Sequence, residues 1–183
     1  MPVQMRIKAI TKDFKDLVVL YAINNEAFPD DERIDSESLL DVVAQYAGEA
    51  LAFYDGDKMV GFAILVHKPA YHCAYMGYFA IAAECRGKGY GAVALRLLQE
   101  RYADSQLVLD MERMFPDAPN YDQRCRRLRF YERCGLRRAF WGITYRGMNL
   151  ELMHNGADFH LADIRGLLSD MTDADFRPLL FKI

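Results

Sequence analysis

The stretch from Tyr71 to Tyr102 constrains this chain more than any other. It reads as an aromatic-rich strand, then the loop Cys85-Arg86-Gly87-Lys88-Gly89-Tyr90-Gly91, then a run of helical period. In that run Gly91, Ala94, Leu95, Leu98 and Tyr102 recur on one face, which leaves Arg96, Gln99, Glu100 and Arg101 to solvent. The glycines therefore stand at a helix start. Such a start carries backbone N–H groups with no internal acceptor and a partial positive charge, and glycines let an anion approach that backbone closely. Arg86 and Lys88 add two cations. The chemistry implied is a site for a diphosphate-bearing ligand, gripped mainly by main chain.

Three motif readings compete for this loop. A nucleotide-triphosphatase phosphate loop fails, because Gly87-Lys88-Gly89 lacks the Gly-Lys-Ser/Thr ending that motif needs. A dinucleotide fold fits loosely: Gly87, Gly89 and Ala92 satisfy G-x-G-x-x-A, and Asp110 ends the next apolar run near where a ribose-binding acid is expected. Against it, Ala82 to Arg86 separates the last strand residue from the first glycine, whereas a dinucleotide turn leaves its strand directly. The third reading is a resemblance. The string Ile81-Ala82-Ala83-Glu84-Cys85-Arg86-Gly87-Lys88-Gly89-Tyr90-Gly91 closely resembles motif A of the GNAT superfamily of N-acetyltransferases, Arg/Gln-x-x-Gly-x-Gly/Ala after a strand. A second string, Arg127-Leu128-Arg129-Phe130-Tyr131-Glu132-Arg133-Cys134-Gly135-Leu136, is similar to that family's other signature, Tyr-Glu-Lys/Arg-x-Gly-Phe after an apolar residue. The resemblance covers Lys58 to Met153 well and the first fifty residues by pattern only.

At 183 residues the chain has the size of one domain able to bury its own core. Hydrophobic residues at 52% and charged residues at 27% describe a globular chain, and a net charge of −3 gives no global attraction to nucleic acid or anionic membrane. The longest apolar run, Met59 to Val66, is too short to span a bilayer, and no apolar stretch follows Met1-Pro2-Val3-Gln4 to make a leader. Cys73, Cys85, Cys125 and Cys134 form no C-x-x-C pair, which suits reduced thiols in a cytoplasm. His67, His72, His154 and His160 are scattered without ligand spacing, so no metal is expected.

Along the chain, Met5, Ile7 and Ile10 suggest a first strand. Phe14, Leu17, Val18, Tyr21, Ala22 and Phe28 then suggest a helix stripe, capped at Thr11 or Asp13 and closed by Pro29. A second helix from Asp35 or Ser36 buries Leu39, Leu40, Val43 and Tyr46. Leu51–Tyr54 and Lys58–Val66 form a hairpin across Asp55-Gly56-Asp57, and His67-Lys68-Pro69-Ala70 leads into a strand from Tyr71 to Ile81. After the loop's helix, Gln106–Met111 is a strand reached by a crossover, then Tyr121–Cys134 a helix ended by Gly135. Leu136–Tyr145 and Asn149–Met153 close the sheet across Arg146-Gly147. The fold class expected is α/β, of the α+β mixed kind: a central mixed, mostly antiparallel sheet of six to seven strands flanked by helices. One domain is expected over residues 1–183, and the resemblance implies that it is an acetyltransferase domain, with a coenzyme-binding core over about 58–153 and a helical extension over about 157–183. That extension carries Phe159, Ile164, Leu167, Leu168 and Met171 at helical spacing and ends in the apolar Phe176–Ile183. Such a tail covers its own core or a partner chain, and a homodimer is the expectation.

The resemblance implies acetyl-CoA as co-substrate, its pyrophosphate on the N–H groups from Gly87 to Gly91 (Tyr90 among them) with Arg86 and Lys88 beside it. The pantetheine arm would run along Phe79, Ala80 and Ile81. It implies direct attack of an amine on the thioester, with Tyr131 as the acid for the departing thiolate. A phenol titrating near about 10 stays protonated at neutral pH. For the base, alternation in Val108-Leu109-Asp110-Met111-Glu112 sends both carboxylates to one side, and Asp110 and Glu112 rank equally, with Tyr78 acting through water as an outside alternative. Many members of the family carry Asn seven residues before the tyrosine; here that position is Arg124, whose role the pattern leaves open.

Seven arginines between Arg124 and Arg138 invite a nucleic-acid reading, but the interleaved Leu128, Phe130 and Tyr131 fit a packed helix and the chain is acidic overall. Asp30, Asp31, Glu32, Asp35 and Glu37 crowd the segment that shapes the acceptor site in the family, which suggests a cationic amine. The function expected is N-acetyl transfer from acetyl-CoA to a primary amine, small-molecule or peptide, with no nucleic-acid or membrane partner. The alternatives are a non-catalytic acetyl-CoA-binding module and an NAD-binding enzyme.

Overall fold

A hairpin at Gly56 sets the first half of the sheet. Gly56 adopts φ +59°, the left-handed turn that returns β2 (Glu49–Asp55) into β3 (Lys58–Lys68) with Asp55 opposite Lys58. Both strands are buried almost throughout, so they read as continuous apolar runs rather than alternations. Before them, β1 (Met5–Ala9) pairs antiparallel to β2, and α1 (Leu17–Ala27) and α2 (Leu39–Gln45) intervene. The computed structural model describes residues 4–30 and 32–183. The expectations placed on Met1–Val3 at the amino terminus and on Asp31 in the acidic loop lie outside the described residues.

The chain continues through β4 (Cys73–Ile81), α3 (Tyr90–Arg101), β5 (Gln106–Glu112) and α4 (Tyr121–Arg133). It ends with β6 (Arg137–Tyr145), β7 (Met148–His154), α5 (Leu161–Met171) and β8 (Leu179–Lys182). Among the described residues one eight-stranded sheet results, in the order β1-β2-β3-β4-β5-β7-β6-β8, and five α-helices accompany it. The α/β expectation stands, but six to seven strands become eight. The apolar end of the tail is not only a helical extension: Leu179 to Lys182 pair antiparallel with β6. Gly142 makes this possible, since a Cβ there would overlap the Phe181 ring.

Two compact units are distinguished, one of Met1–His67 with Met76–Arg101, the other of Lys68–Tyr75 with Tyr102–Ile183. In the first, β3 and β4 approach so closely at Gly61 that any Cβ would overlap the Ala80 carbonyl oxygen. Leu95 and Leu98 of α3 are fully buried, each worth about 1.5–3 kcal/mol of apolar burial. In α1 the buried face is Leu20, Ile23 and Asn24, while Val18 and Ala22 are exposed. The expected stripe was out of phase because Leu17-Val18-Val19-Leu20 is apolar on all sides. Its N-cap is Asp16 rather than Thr11 or Asp13.

In the second unit a 3-10 turn over Pro69–Tyr71 and a left-handed His72 (φ +45°) delay the start of β4 to Cys73 instead of Tyr71. Helix α5 buries Ile164, Leu167, Leu168 and Met171, as its spacing predicts, and Gly166 admits the Tyr71 ring. Helix α4 ends in a Schellman arrangement: the N–H groups of Gly135 and Leu136 donate to the carbonyls of Glu132 and Tyr131, both at 3.0 Å, with Gly135 at φ +86°. Arg137 and Arg138 thus belong to β6, not to the helix.

Candidate active site

After β4 a 3-10 turn, Ala83–Cys85, tucks the Cys85 side chain into the core and delivers the glycines to the surface. Gly87 and Gly89 take φ +72° and +87°, and nothing lies within 4 Å of where a Cβ on either would be. The glycines are therefore needed for the turn, and the space over them is open. Helix α3 begins at Tyr90, and its first bond runs from the Val93 N–H to the Gly89 carbonyl at 3.2 Å. The geometry of any helix start leaves the N–H groups of Tyr90, Gly91 and Ala92 without an acceptor inside the helix. This is a ready anion cradle.

The cations beside it are already engaged. Arg86 lays its guanidinium end-on against Glu26 (Nη1 to Oε1 2.9 Å, Nη2 to Oε2 2.6 Å) and donates from Nε to the Ile81 carbonyl at 2.9 Å. Lys88 donates to the Glu84 carbonyl at 2.7 Å. The Tyr90 hydroxyl donates to Asp55 at 2.5 Å, and that bond is the leading cause of its raised pKa. On β4, Phe79 packs edge-on to Phe53 at 6.1 Å, and Ala80 is buried beside Gly61. Tyr78 donates to the Glu32 carbonyl at 2.9 Å and meets Phe28 edge-on at 5.2 Å. In the acidic segment Asp30 pairs with Arg33 at 2.5 Å and Asp35 accepts from the Glu37 N–H at 3.1 Å.

The two carboxylates at the end of β5, indistinguishable in sequence, have different company. Asp110 accepts from the hydroxyls of Tyr75 and Tyr145, the latter at 3.1 Å; burial and then the Asp110 charge hold the Tyr75 phenol well above its usual range. Glu112 faces cations: Arg127 pairs with Oε2, while Asn120 donates to Oε1 at 2.9 Å and Arg124 stands 4.0 Å from it. Arg124 also donates to Asn120 Oδ1 at 2.7 Å and to the Arg113 carbonyl at 2.6 Å, fastening the connection after β5 to α4. Tyr131 follows Arg124 and Arg127 on the same helical face, at i+7 and i+4. It is buried, and burial pushes its phenol up to about 12; the Arg127 cation pulls the other way, and Asp110 and Cys134 add to the rise.

The residues that sequence reasoning missed here are Glu26, Asp55, Tyr75, Asn120, Arg127 and Tyr145. Glu26, Asp55, Tyr75 and Tyr145 meet their partners from 35 or more positions away, and Asn120 and Arg127 reach Glu112 across the loop after β5, so no motif signals them.

The family model for GNAT acetyltransferases matches residues 17–136. The chain belongs to the GNAT acetyltransferase family. Solved GNAT structures share the fold. One from Bacteroides thetaiotaomicron is 23% identical, with a TM-score of 0.70 over 88% of this chain and 93% of that one. The ribosomal-protein-S18-alanine N-acetyltransferase of Escherichia coli is 18% identical, with a TM-score of 0.60 over 86% and 96%. The spermidine N-acetyltransferase of Vibrio cholerae, solved with CoA and spermine, is 14% identical, with a TM-score of 0.61 over 82% and 94%. A search of curated protein sequences returns no match. This GNAT protein is thus an acyltransferase by family, of a kind that uses acetyl-CoA. Among the described residues no group of three or more His, Cys, Asp or Glu side chains gathers at metal-binding distance, and no helix is long and apolar enough to cross a membrane.

Proposed function

We propose that this GNAT protein transfers the acetyl group of acetyl-CoA to a primary amine by direct attack in a ternary complex. The observation that carries the reading is the pair of left-handed glycines opening α3 with free space above them. A diphosphate would meet the main-chain N–H groups from Gly87 to Gly91, with Arg86 and Lys88 supplying charge, while the pantetheine arm pairs with main chain at Phe79, Ala80 and Ile81. Residues 1–183 act as one catalytic domain in this reading, which a family match drawing on residues of both units supports.

The acceptor enters as an ammonium and loses a proton. Its lone pair then attacks the thioester carbonyl, the C–N bond forms, the C–S bond breaks, and the thiolate takes a proton from Tyr131. The tyrosinate is reset by the proton that the new amide nitrogen releases. A phenol pushed up to about 12 is fully protonated at neutral pH, which suits this role. Asp110 is the proposed proton acceptor, because it accepts from two phenols, which can pass a proton onward. Glu112 is the proposed clamp. Its oxygens face Asn120 and two guanidinium groups, and guanidinium does not give up its protons in proteins. In the same way Arg124 positions the connection after β5 rather than reaching the coenzyme.

The acceptor is proposed to be cationic, in line with Glu32, Asp35 and Glu37 on the segment before α2 and with the amines named for the Vibrio cholerae and Escherichia coli structures. A homodimer through the β8 edge is supported by the exposed Leu179, Ile183 and Phe140. Cys73, Cys85, Cys125 and Cys134 form no disulfide among the described residues, which suits a reducing cytoplasm.

The test is release of free thiol from acetyl-CoA with a panel of polyamines, amino sugars and peptides with free N-termini. Turnover above hydrolysis with one class is the expected result. Tight coenzyme binding without any acceptor would make the protein a binding module, and preferential NAD binding would overturn the reading.

A further inference from the structure

We propose that Glu26 is a positioning residue that competes with the coenzyme's diphosphate for Arg86, so that coenzyme binding releases the end of α1. The proposal rests on the acetyl-CoA reading above. Arg86 stands in the loop next to Gly87, where a bound diphosphate calls for a cation, yet three of its donor atoms face protein: two on Glu26 and one on the Ile81 carbonyl.

Glu26 lies in the last turn of α1, where the partial negative charge of the helix end makes a carboxylate unfavourable, and that turn contains no basic residue. Arg86 therefore does for α1, from outside, what a lysine in its last turn would do. The pair is half exposed, with side-chain accessibilities of 49% and 44%, so it is held loosely enough to exchange. A diphosphate brings more charge than one carboxylate and sits beside main-chain donors as well, so it wins the guanidinium.

Helix α1 runs straight into the segment before α2. That segment is tied back by the Asn24 side-chain N–H to the Ile34 carbonyl at 2.9 Å and by Tyr78 to the Glu32 carbonyl. Freeing Glu26 adds an unpaired carboxylate to this acidic stretch only once coenzyme is bound.

The experiment is calorimetric titration of CoA into the wild type, Glu26→Gln, Arg86→Gln and the double variant, at low and high salt. Glu26→Gln should tighten CoA binding about two- to five-fold, and the gain should shrink in high salt. Arg86→Gln should weaken binding, and adding Glu26→Gln to it should then change nothing. Weaker or unchanged binding by Glu26→Gln, or an equal gain in the Arg86→Gln background, would overturn the proposal alone. Failure of the wild type to bind CoA at all would instead remove the acetyltransferase reading, and this proposal with it.

Discussion

Gly89→Ala, paired with Gly147→Ala, separates what a left-handed glycine does for the fold from what it does for a ligand. Both glycines have positive φ, +87° and +75°, and neither has an atom within 4 Å of a built Cβ, so neither substitution creates a clash. The conformational penalty is then the whole structural effect, about 1–2 kcal/mol for a non-glycine residue in the left-handed region. For a chain of this size that lowers the melting temperature by roughly 2–8 °C in either variant. Coenzyme binding should part the two. The Gly89 methyl enters the space over the first turn of α3 and denies the diphosphate a main-chain bond of the charge-assisted kind. One such bond is worth about 1.5–3 kcal/mol, which predicts about 10- to 150-fold weaker binding. Gly147 sits in the β6–β7 turn beside Arg146, and its variant should bind CoA like the wild type. Differential scanning fluorimetry gives the first number and calorimetry the second. Equal CoA affinity in the two variants would refute the main-chain cradle, however the stabilities fell.

Three further outcomes follow from particular side chains. Tyr131→Phe should lower kcat by about a hundred- to ten-thousand-fold with CoA affinity little changed; an unaltered rate would remove the phenol from the acid role. His154 is buried, its Nδ1 has no hydrogen-bond partner among the described residues, and burial, then Arg137, hold its pKa below 6.5, with His160 adding and Asp158 opposing. Below pH 6.5 the unfolded chain therefore binds a proton the folded chain refuses, so urea-measured stability should fall by up to about 1.4 kcal/mol per pH unit as pH drops from 6.5 towards the folded value. His154→Leu should flatten that slope; an unchanged slope would assign it elsewhere. Gly142→Ala should push the Phe181 ring off β6 and speed amide exchange along Leu179–Lys182, while the α5 amides keep their protection.

The parts of the fold legible in the sequence are those specified by neighbours in the chain. The Gly56 turn, the glycine opening of α3, the Gly135 stop and the buried face of α5 all follow from residues within a few positions of one another. Helix α1 was harder, because four consecutive apolar residues give no phase, and only packing selects Leu20 and Ile23 over Val18. The last strand was illegible for a related reason: Leu179-Leu180-Phe181 is too short to distinguish an apolar plug from an edge strand, and its partner β6 lies about forty residues away. For the proposed site, the resemblance nominated Tyr131 and strand alternation nominated Asp110 and Glu112, without ranking the two acids. The difference lies in Tyr75, Tyr145, Arg127 and Asn120, which meet them only through the tertiary fold. Arg86 was legible as a cation, and its engagement by Glu26 sixty residues earlier was not.

The most direct measurement is a backbone amide spectrum of the labelled protein titrated with CoA and, separately, with NAD. The account predicts that CoA moves the amides of Gly87 to Ala92 more than any others in the first unit, and that NAD leaves them in place. Amides of that turn unmoved at saturating CoA, or moved equally by NAD, would contradict it.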